Sequence, residues 1–437
     1  MIIRGKQNPL SVASLAASTD RGFTGRSSSL FSCLDITHAA EVGASDDLCT
    51  TGLGYVPQQA QYSQSIQISQ SSDVDRTIER FSLQAAVRDI LPSSRTAWCL
   101  RRLQKGETDV HVLQSSEHGA TFYGKLATCS NLWGCPVCAA KISERRRVEL
   151  LALIEAHRQA GGQVAFVTLT FSHSDADCLH DTLPSLSKAM TAFKGGKHAQ
   201  ALRKAYSLVG TVRALEVTHG EANGWHVHVH ELWFLAGVNH DLDMLAESLY
   251  PQWASACRRA GLGEPSRQRG VTVQSGEYAA RYAGKWGLEN ELTKAHLKKG
   301  RVGRFTPWDF LRLYRDGDAG DQARASELFR EYAAAFKGQR QLVFSRGLKK
   351  MYAIEESTDE ELSARLEDNA RLLGTLDINQ WRQILRANGR GELLKRARIG
   401  GWPAVESYLA ELEPLSPSEF IQGAKEYISV LVSKINN

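Results

Sequence analysis

Three histidines alternate with valines in Gly224-Trp-His226-Val-His228-Val-His230-Glu-Leu-Trp-Phe234. On a β-strand successive side chains point to opposite faces, so His226, His228 and His230 line one face while Val227 and Val229 line the other. Neutral imidazole is a common ligand of divalent metals, and two histidines two residues apart on a strand can hold one ion. Packing alone accounts for a single histidine on a half-buried strand. Three in phase point to metal binding.

The segment just upstream, Thr211–Thr218, has the β-branched composition of a second strand. A turn at His219–Gly224 returns the chain, giving an antiparallel hairpin. Glu216 lies near that turn and can face the histidines across the ladder. A carboxylate beside two imidazoles makes a three-ligand site with positions left open for substrate.

A second cluster is built of sulfur. Of the eight cysteines, Cys129, Cys135 and Cys138 are close together in Cys129-Ser-Asn-Leu-Trp-Gly-Cys135-Pro-Val-Cys138, and the others are scattered. Clustered cysteines in a chain this large read as a metal site before a disulfide framework, and a Cys-Pro-x-Cys knuckle presents two thiolates to zinc. Cys99, His111 or His118 is open as the fourth ligand.

Further on, Glu277-Tyr278-Ala-Ala-Arg281-Tyr282-Ala-Gly-Lys285-Trp286 has helical spacing. Tyr278 and Tyr282 fall one turn apart on one face, Lys285 lies three residues beyond, and Glu277 is out of phase. An amphipathic helix packs tyrosines in the same way, but downstream of a metal strand two phenols and an ammonium become candidates for chemistry.

The positioning elements can be read in chain order. A short helix is expected near Val74–Ile90, closed by Pro92. A helix from about Ala139 carries Arg145-Arg146-Arg147 and stops at Gly161-Gly162. Val164–Phe171 reads as a strand, 182–206 as helical, 241–262 as a helix ending at Gly261, and Val271–Gln274 as a short strand. Residues 1–75 are rich in Ser, Thr, Gln and Gly and are expected to be disordered. Lys294, Lys298, Lys299, Arg301 and Arg304 with Phe305 and Trp308 form one basic, aromatic cluster. Lys337, Arg340, Arg346, Lys349 and Lys350 form another. A third basic stretch carries Arg386, Arg390, Lys395, Arg396 and Arg398.

With 437 residues the chain has room for two or three domains. The expected boundaries are 1–75 for the disordered segment, 76–160 for the cysteine region and its helix, 161–350 for the histidine domain and 351–437 for a helical accessory region. No apolar run approaches the roughly 18–20 residues that span a bilayer, and the N-terminus lacks a signal-peptide pattern, so a cytoplasmic protein without a membrane partner is expected. The net charge of +5 permits nucleic acid as a partner without demanding it.

In their order these motifs resemble the rolling-circle replication initiator (Rep) proteins of small plasmids, a branch of the HUH endonucleases. The resemblance is carried by Phe166-Val-Thr168-Leu-Thr170, by His228-Val-His230 and by Tyr282-Ala-Gly-Lys285. The cysteine segment before them and Ala335–Leu348 after them also look like this group. The likeness covers roughly residues 90–350.

The resemblance implies an α+β fold, in which a five-stranded antiparallel sheet with the histidine strand at its centre is flanked by helices. It implies nicking and rejoining of single-stranded origin DNA through a 5′-phosphotyrosine, with Tyr282 as nucleophile and Lys285 positioning the metal or the phosphate. His228, His230 and Glu216 would hold Mg2+ or Mn2+, with a structural Zn2+ at the cysteines, and host helicase and polymerase would be partners. A register using His226 and His228 stays open. Where several plasmid initiators carry a glutamate one turn before the tyrosine this chain has Tyr278, which is therefore a candidate second nucleophile, as in two-tyrosine phage initiators. A relaxase or single-strand transposase would share the chemistry, and a zinc-containing DNA-binding regulator would lack it. Relaxases often place the tyrosine before the histidine motif, opposite to the order here. The oligomeric state is not legible.

Overall fold

The computed structural model describes residues 76–285, 304–364, 369–418 and 421, with the backbone alone for 282–285. The segment 1–75, Lys294, Lys298, Lys299 and Arg301 lie outside the described residues. Helix α1 (76–90) leads into a short 3-10 turn, Arg95–Trp98, and the hairpin β1 (Val110–Gln114) and β2 (Thr121–Gly124). Helix α2 (Pro136–Gln159) follows, then β3 (Gln163–Leu169), α3 (Leu179–Lys194), α4 (Gly196–Ala205), β4 (Leu208–Gly220) and β5 (Gly224–Leu235). After α5 (Leu242–Ala260) come β6 (Val271–Ser275) and α6 (Gly276–Lys285). The later strands are β7 (Arg304–Phe305), β8 (Leu342–Phe344) and β9 (Arg371–Leu376).

Local chemistry explains these bounds. Pro136 begins α2 where a missing N–H costs nothing, and Gly161 ends it in the left-handed region at φ 77°. The Asp241 carboxylate caps α5 by accepting from the Met244 amide at 2.9 Å, and Gly261 closes the helix at φ 76°. The expected single helix over 182–206 is two, because Gly195 and Gly196 leave helical geometry between them, Gly196 with φ 84°.

The main sheet runs β6-β3-β5-β4-β7, with β8 also paired to β4, and every pairing is antiparallel. The fold is α+β, as expected, and the histidine strand is central. The sheet has six strands rather than five, because the short β8 shares the β4 edge with β7. A second antiparallel sheet, β2-β1-β9, joins residues near 110–124 to residues near 371–376. No periodic signal pairs segments so far apart. This sheet and the helices Ile378–Arg386 and Arg390–Glu411 bury a core that includes Val112, Tyr123, Trp381 and Leu393. The cysteine region and the C-terminal region therefore share one packed interior.

One face of the main sheet, with Val167, Leu215, Val227 and Val229, packs on α3 and α5. The opposite face is divided. At the Leu232–Phe234 end it is covered by α2 and α6 through Leu150, Leu153, Ile154 and Ala279. At the His226–His230 end it stays partly accessible, and this is where the site lies. No helix among the described residues is long and apolar enough to cross a membrane.

Candidate metal and nucleophile site

The β4–β5 hairpin fixes the site. Three residues, Glu221–Asn223, make its turn, and Gly224 closes it at φ 66° with its Cα so near Asp175 that a Cβ there would lie 2.8 Å from the Asp175 Cα. The resulting register sets Glu216 directly opposite His228. The Glu216 Oε2 atom lies 3.1 Å from His228 Nε2 and 3.4 Å from His230 Nε2. A divalent ion at about 2.1 Å from two adjacent octahedral ligands sets them about 3.0 Å apart, so these three donors fit one face of such an ion. Burial works to raise the Glu216 pKa, but hydrogen bonds from His228 and His230 outweigh it and hold the carboxyl well below its usual range.

Neighbours orient the ligands. Thr168 Oγ1 lies 2.9 Å from His230 Nδ1, a hydrogen bond that holds the ring with Nε2 toward Glu216. The Phe166 ring stacks on His230 with centroids 4.8 Å apart. His226 lies apart from this trio: its Nδ1 lies 2.7 Å from His173 Nε2, and it stacks on His228. Burial, followed by the nearby His228, His173 and Arg304, pushes the His226 pKa down to about 3. The structure thus groups His228 and His230, not His226 and His228, with the carboxylate. His173 sits on an irregular loop, where no pattern flags it.

Helix α6 lies on the same side of the sheet. Ala279 is buried with Phe166, and the half-exposed Tyr278 ring lies 5.1 Å from the Phe166 ring that also stacks on His230. Tyr282 follows one turn later on α6; its side chain and that of Lys285 lie outside the described residues. Glu277 is exposed on the same helix.

The sulfur cluster has four members. Cys99, Cys129, Cys135 and Cys138 are all buried, with Sγ atoms within 4.8 Å of one another. Cys99 lies 3.4 Å from Cys138, and Cys129 3.7 Å from Cys138. Tetrahedral zinc with bonds of about 2.3 Å spaces its sulfurs about 3.8 Å apart, so the set fits. The Cys129 and Asn131 amides each donate to a thiol sulfur at 3.4 Å, as in a zinc knuckle. Burial raises the Cys135 pKa, but its thiol neighbours outweigh that and hold it well below the usual value, while they push Cys99 and Cys138 well above. Four thiols so close ionise together only beside a cation. The fourth position falls to Cys99. His111 instead faces Asp109 at 3.2 Å and His118 faces Glu117.

Several basic groups singled out by sequence are engaged internally. Arg146 pairs with Glu149 and Asp359, each at 2.8 Å, and Arg147 pairs with Glu144, so the arginine run of α2 is structural. Lys349 is buried against Glu149 at 2.7 Å, Trp308 is buried, and Arg390 is fully buried.

Similarity to known proteins falls on this part of the chain. The family described as "Replication protein" matches residues 124–240, which span Cys129 to the end of the histidine strand. A protein of Streptomyces lividans named "Protein rep" is 25% identical over 385 residues, covering 73% of this chain and 81% of the relative. A "Neomycin resistance protein" of Streptomyces cyanogenus is 29% identical over 143 residues, 27% of this chain and 33% of that protein. No solved structure matches the chain. Residues 124–240 are thus similar to the replication-protein family, and most of the chain is similar to a Rep protein.

Proposed function

We propose that this protein initiates rolling-circle replication of a plasmid by nicking and later rejoining one DNA strand at the origin. The observation that carries this reading is the Glu216–His228–His230 cluster, with the Tyr278 ring against the same Phe166 ring that stacks on His230. Two imidazoles with one carboxylate suit Mn2+ better than the oxygen-seeking Mg2+. When bound, that ion withdraws charge from the non-bridging oxygens of the scissile phosphate.

The chain's own residues do the rest. Glu216, His228 and His230, the last held by Thr168, would hold that ion beside the scissile phosphate. The positive charge of Lys285 favours the Tyr282 phenolate, whose proton passes through solvent to the departing 3′ oxygen. The phenolate oxygen bonds to phosphorus, and the bond from phosphorus to the 3′ oxygen breaks. That oxygen leaves as a 3′-hydroxyl, and the 5′ end stays on the enzyme as a phosphotyrosine. The bond energy is retained, so rejoining needs no ATP, and the 3′-hydroxyl can prime a host polymerase behind a host helicase. Tyr278, one turn away, is a second nucleophile for the terminating transfer. The four-cysteine cluster holds zinc as a structural ion. The reaction takes place on single-stranded origin DNA in the cytoplasm.

A labelled single-stranded origin oligonucleotide incubated with the protein and Mn2+ tests this reading. Wild type should form a covalent protein–DNA adduct, Tyr282→Phe should form none, and Tyr278→Phe should keep the first cleavage. Loss of the adduct in Tyr278→Phe alone would exchange the two roles. DNA binding by wild type without any adduct would leave a non-catalytic DNA-binding regulator.

A further inference from the structure

Away from the histidine site, a concave pocket of about 360 Å³ opens between α1, the turn after it and the helix Ile378–Arg386. It is lined by Arg88, Trp98, Arg101, Arg102, Leu385 and Arg386. The Arg102 guanidinium lies over the Trp98 indole at 3.9 Å, and Arg88 lies 5.7 Å from the same ring. Trp98 is 38% exposed, unusual for so large an apolar side chain. Among the described residues Arg88, Arg101 and Arg102 make no ion pair, although Asp89 lies near Arg101. Burial and repulsion by Arg88 push the Arg101 pKa down to about 10, an environment that an anion would relieve.

The backbone under these side chains is held from inside. Ser94 caps the 3-10 turn by accepting from the Ala97 amide at 3.3 Å, and Leu100 takes a left-handed φ of 49°. Cys99, between Trp98 and Leu100, is buried in the four-thiol cluster. Arg101 reaches across to donate to the Leu385 carbonyl at 3.4 Å, and the Trp381 indole donates to the Arg101 carbonyl at 2.9 Å. The pocket is therefore preorganised, with three guanidinium groups lining it around the Trp98 ring.

We propose that this pocket docks an unpaired stretch of DNA, its phosphate on Arg88, Arg101 and Arg102 and its base on the Trp98–Arg102 stack. The proposal rests on the reading of the protein as an origin-nicking initiator. Guanidinium edges suit phosphate oxygens, and indole and guanidinium planes stack bases whatever their sequence. The concavity selects an unpaired strand, because a duplex keeps its bases inside and offers only a convex row of phosphates. The site would hold the strand next to the nick while the histidine site works on the scissile bond.

The test uses full-length, zinc-loaded protein and a fluorescent oligothymidylate, read by anisotropy over a series of salt concentrations. Arg88→Ala/Arg102→Ala should weaken binding about tenfold or more and flatten the salt slope by about 1.4, two phosphate contacts at about 0.7 each on a single strand. Trp98→Ala should weaken it roughly five- to hundredfold, the range for one stacked base. All three positions are exposed, so melting temperatures should match wild type. Should the double variant melt early, Arg88→Ala alone carries the test with half the slope change. Unchanged affinity and slope in these variants would overturn the proposal. So would an equal loss on a blunt duplex, or inorganic phosphate binding that the double variant loses while both proteins hold oligothymidylate alike. Failure of the catalytic reading shows differently: wild type binds the oligonucleotide but forms no adduct.

Discussion

The protein carries two clusters able to hold a cation, and they differ in the way that separates chemistry from architecture. Glu216, His228 and His230 offer three ligands on a partly accessible sheet face, with α6 alongside. Cys99, Cys129, Cys135 and Cys138 offer four ligands, all buried, with two backbone amides donating to their sulfurs. Three ligands with an open side leave room for a phosphate, whereas four thiolates in the interior close the coordination sphere. The difference lies in the backbone beneath. A regular hairpin presents side chains outward at intervals of two, while an irregular knuckle with Ser130 at φ 54° folds its thiols inward.

This contrast can be broken most decisively at the histidine site. Glu216→Ala, His228→Ala and His230→Ala should each lower Mn2+-dependent adduct formation at least about a hundredfold, because a bound ion supplies several kcal/mol of charge stabilisation. Their melting temperatures in excess EDTA should stay near wild type. A quench assay on labelled oligonucleotide measures the first, and differential scanning calorimetry the second. If any of the three keeps full activity, the cluster is not the catalytic ligand set.

The opposite signature belongs to the thiols. Cys99→Ser should reduce the zinc content measured by elemental analysis and lower stability by several kcal/mol, since metal binding to such sites is folding free energy. His118→Ala should change neither quantity. Brief EDTA treatment should stop adduct formation, with recovery on adding Mn2+, and leave the zinc in place. Full zinc occupancy in Cys99→Ser would mean that the fourth ligand is another group.

A smaller effect sharpens the comparison. Thr168→Val removes the hydroxyl that bonds His230 Nδ1 and orients its ring. It should weaken Mn2+ affinity about tenfold, the lower end for loss of a second-sphere partner, while adduct yield at saturating Mn2+ recovers. Titration of Mn2+ by its electron paramagnetic resonance signal checks this. An unchanged affinity would mean that His230 is held by Phe166 stacking alone.

Much of the histidine site was legible in the sequence because it is local. Strand alternation fixes which side chains share a face and places Glu216 near the histidines across a hairpin, while its register opposite His228 was set by the three-residue turn Glu221–Asn223. The same holds for Tyr278 and Tyr282, one helical turn apart. Placing that helix on the histidine side of the sheet was beyond periodicity, because it depends on how β6 pairs with β3 and which apolar face Ala279 finds.

The rest belongs to contacts between distant segments. Cys99 joins thiols at least 30 residues along the chain, and nothing in its own neighbourhood distinguishes it from His111 or His118. β9 pairs with β1 more than 250 residues away, and that pairing gives the cysteine region and the C-terminal helices a common core. Arg390 sits in a basic stretch like its neighbours, yet it is fully buried and donates to the Cys99 and Leu100 carbonyls. Sequence by itself determined the ligand types, their phase on a strand and the hairpin that joins them, because those depend on the period of the backbone. Which histidine faces His173 instead of a ligand carboxylate, which cysteine completes the fourth position, and which arginines face outward around Trp98 were decided only by tertiary packing, because each depends on a partner that the local chain cannot specify.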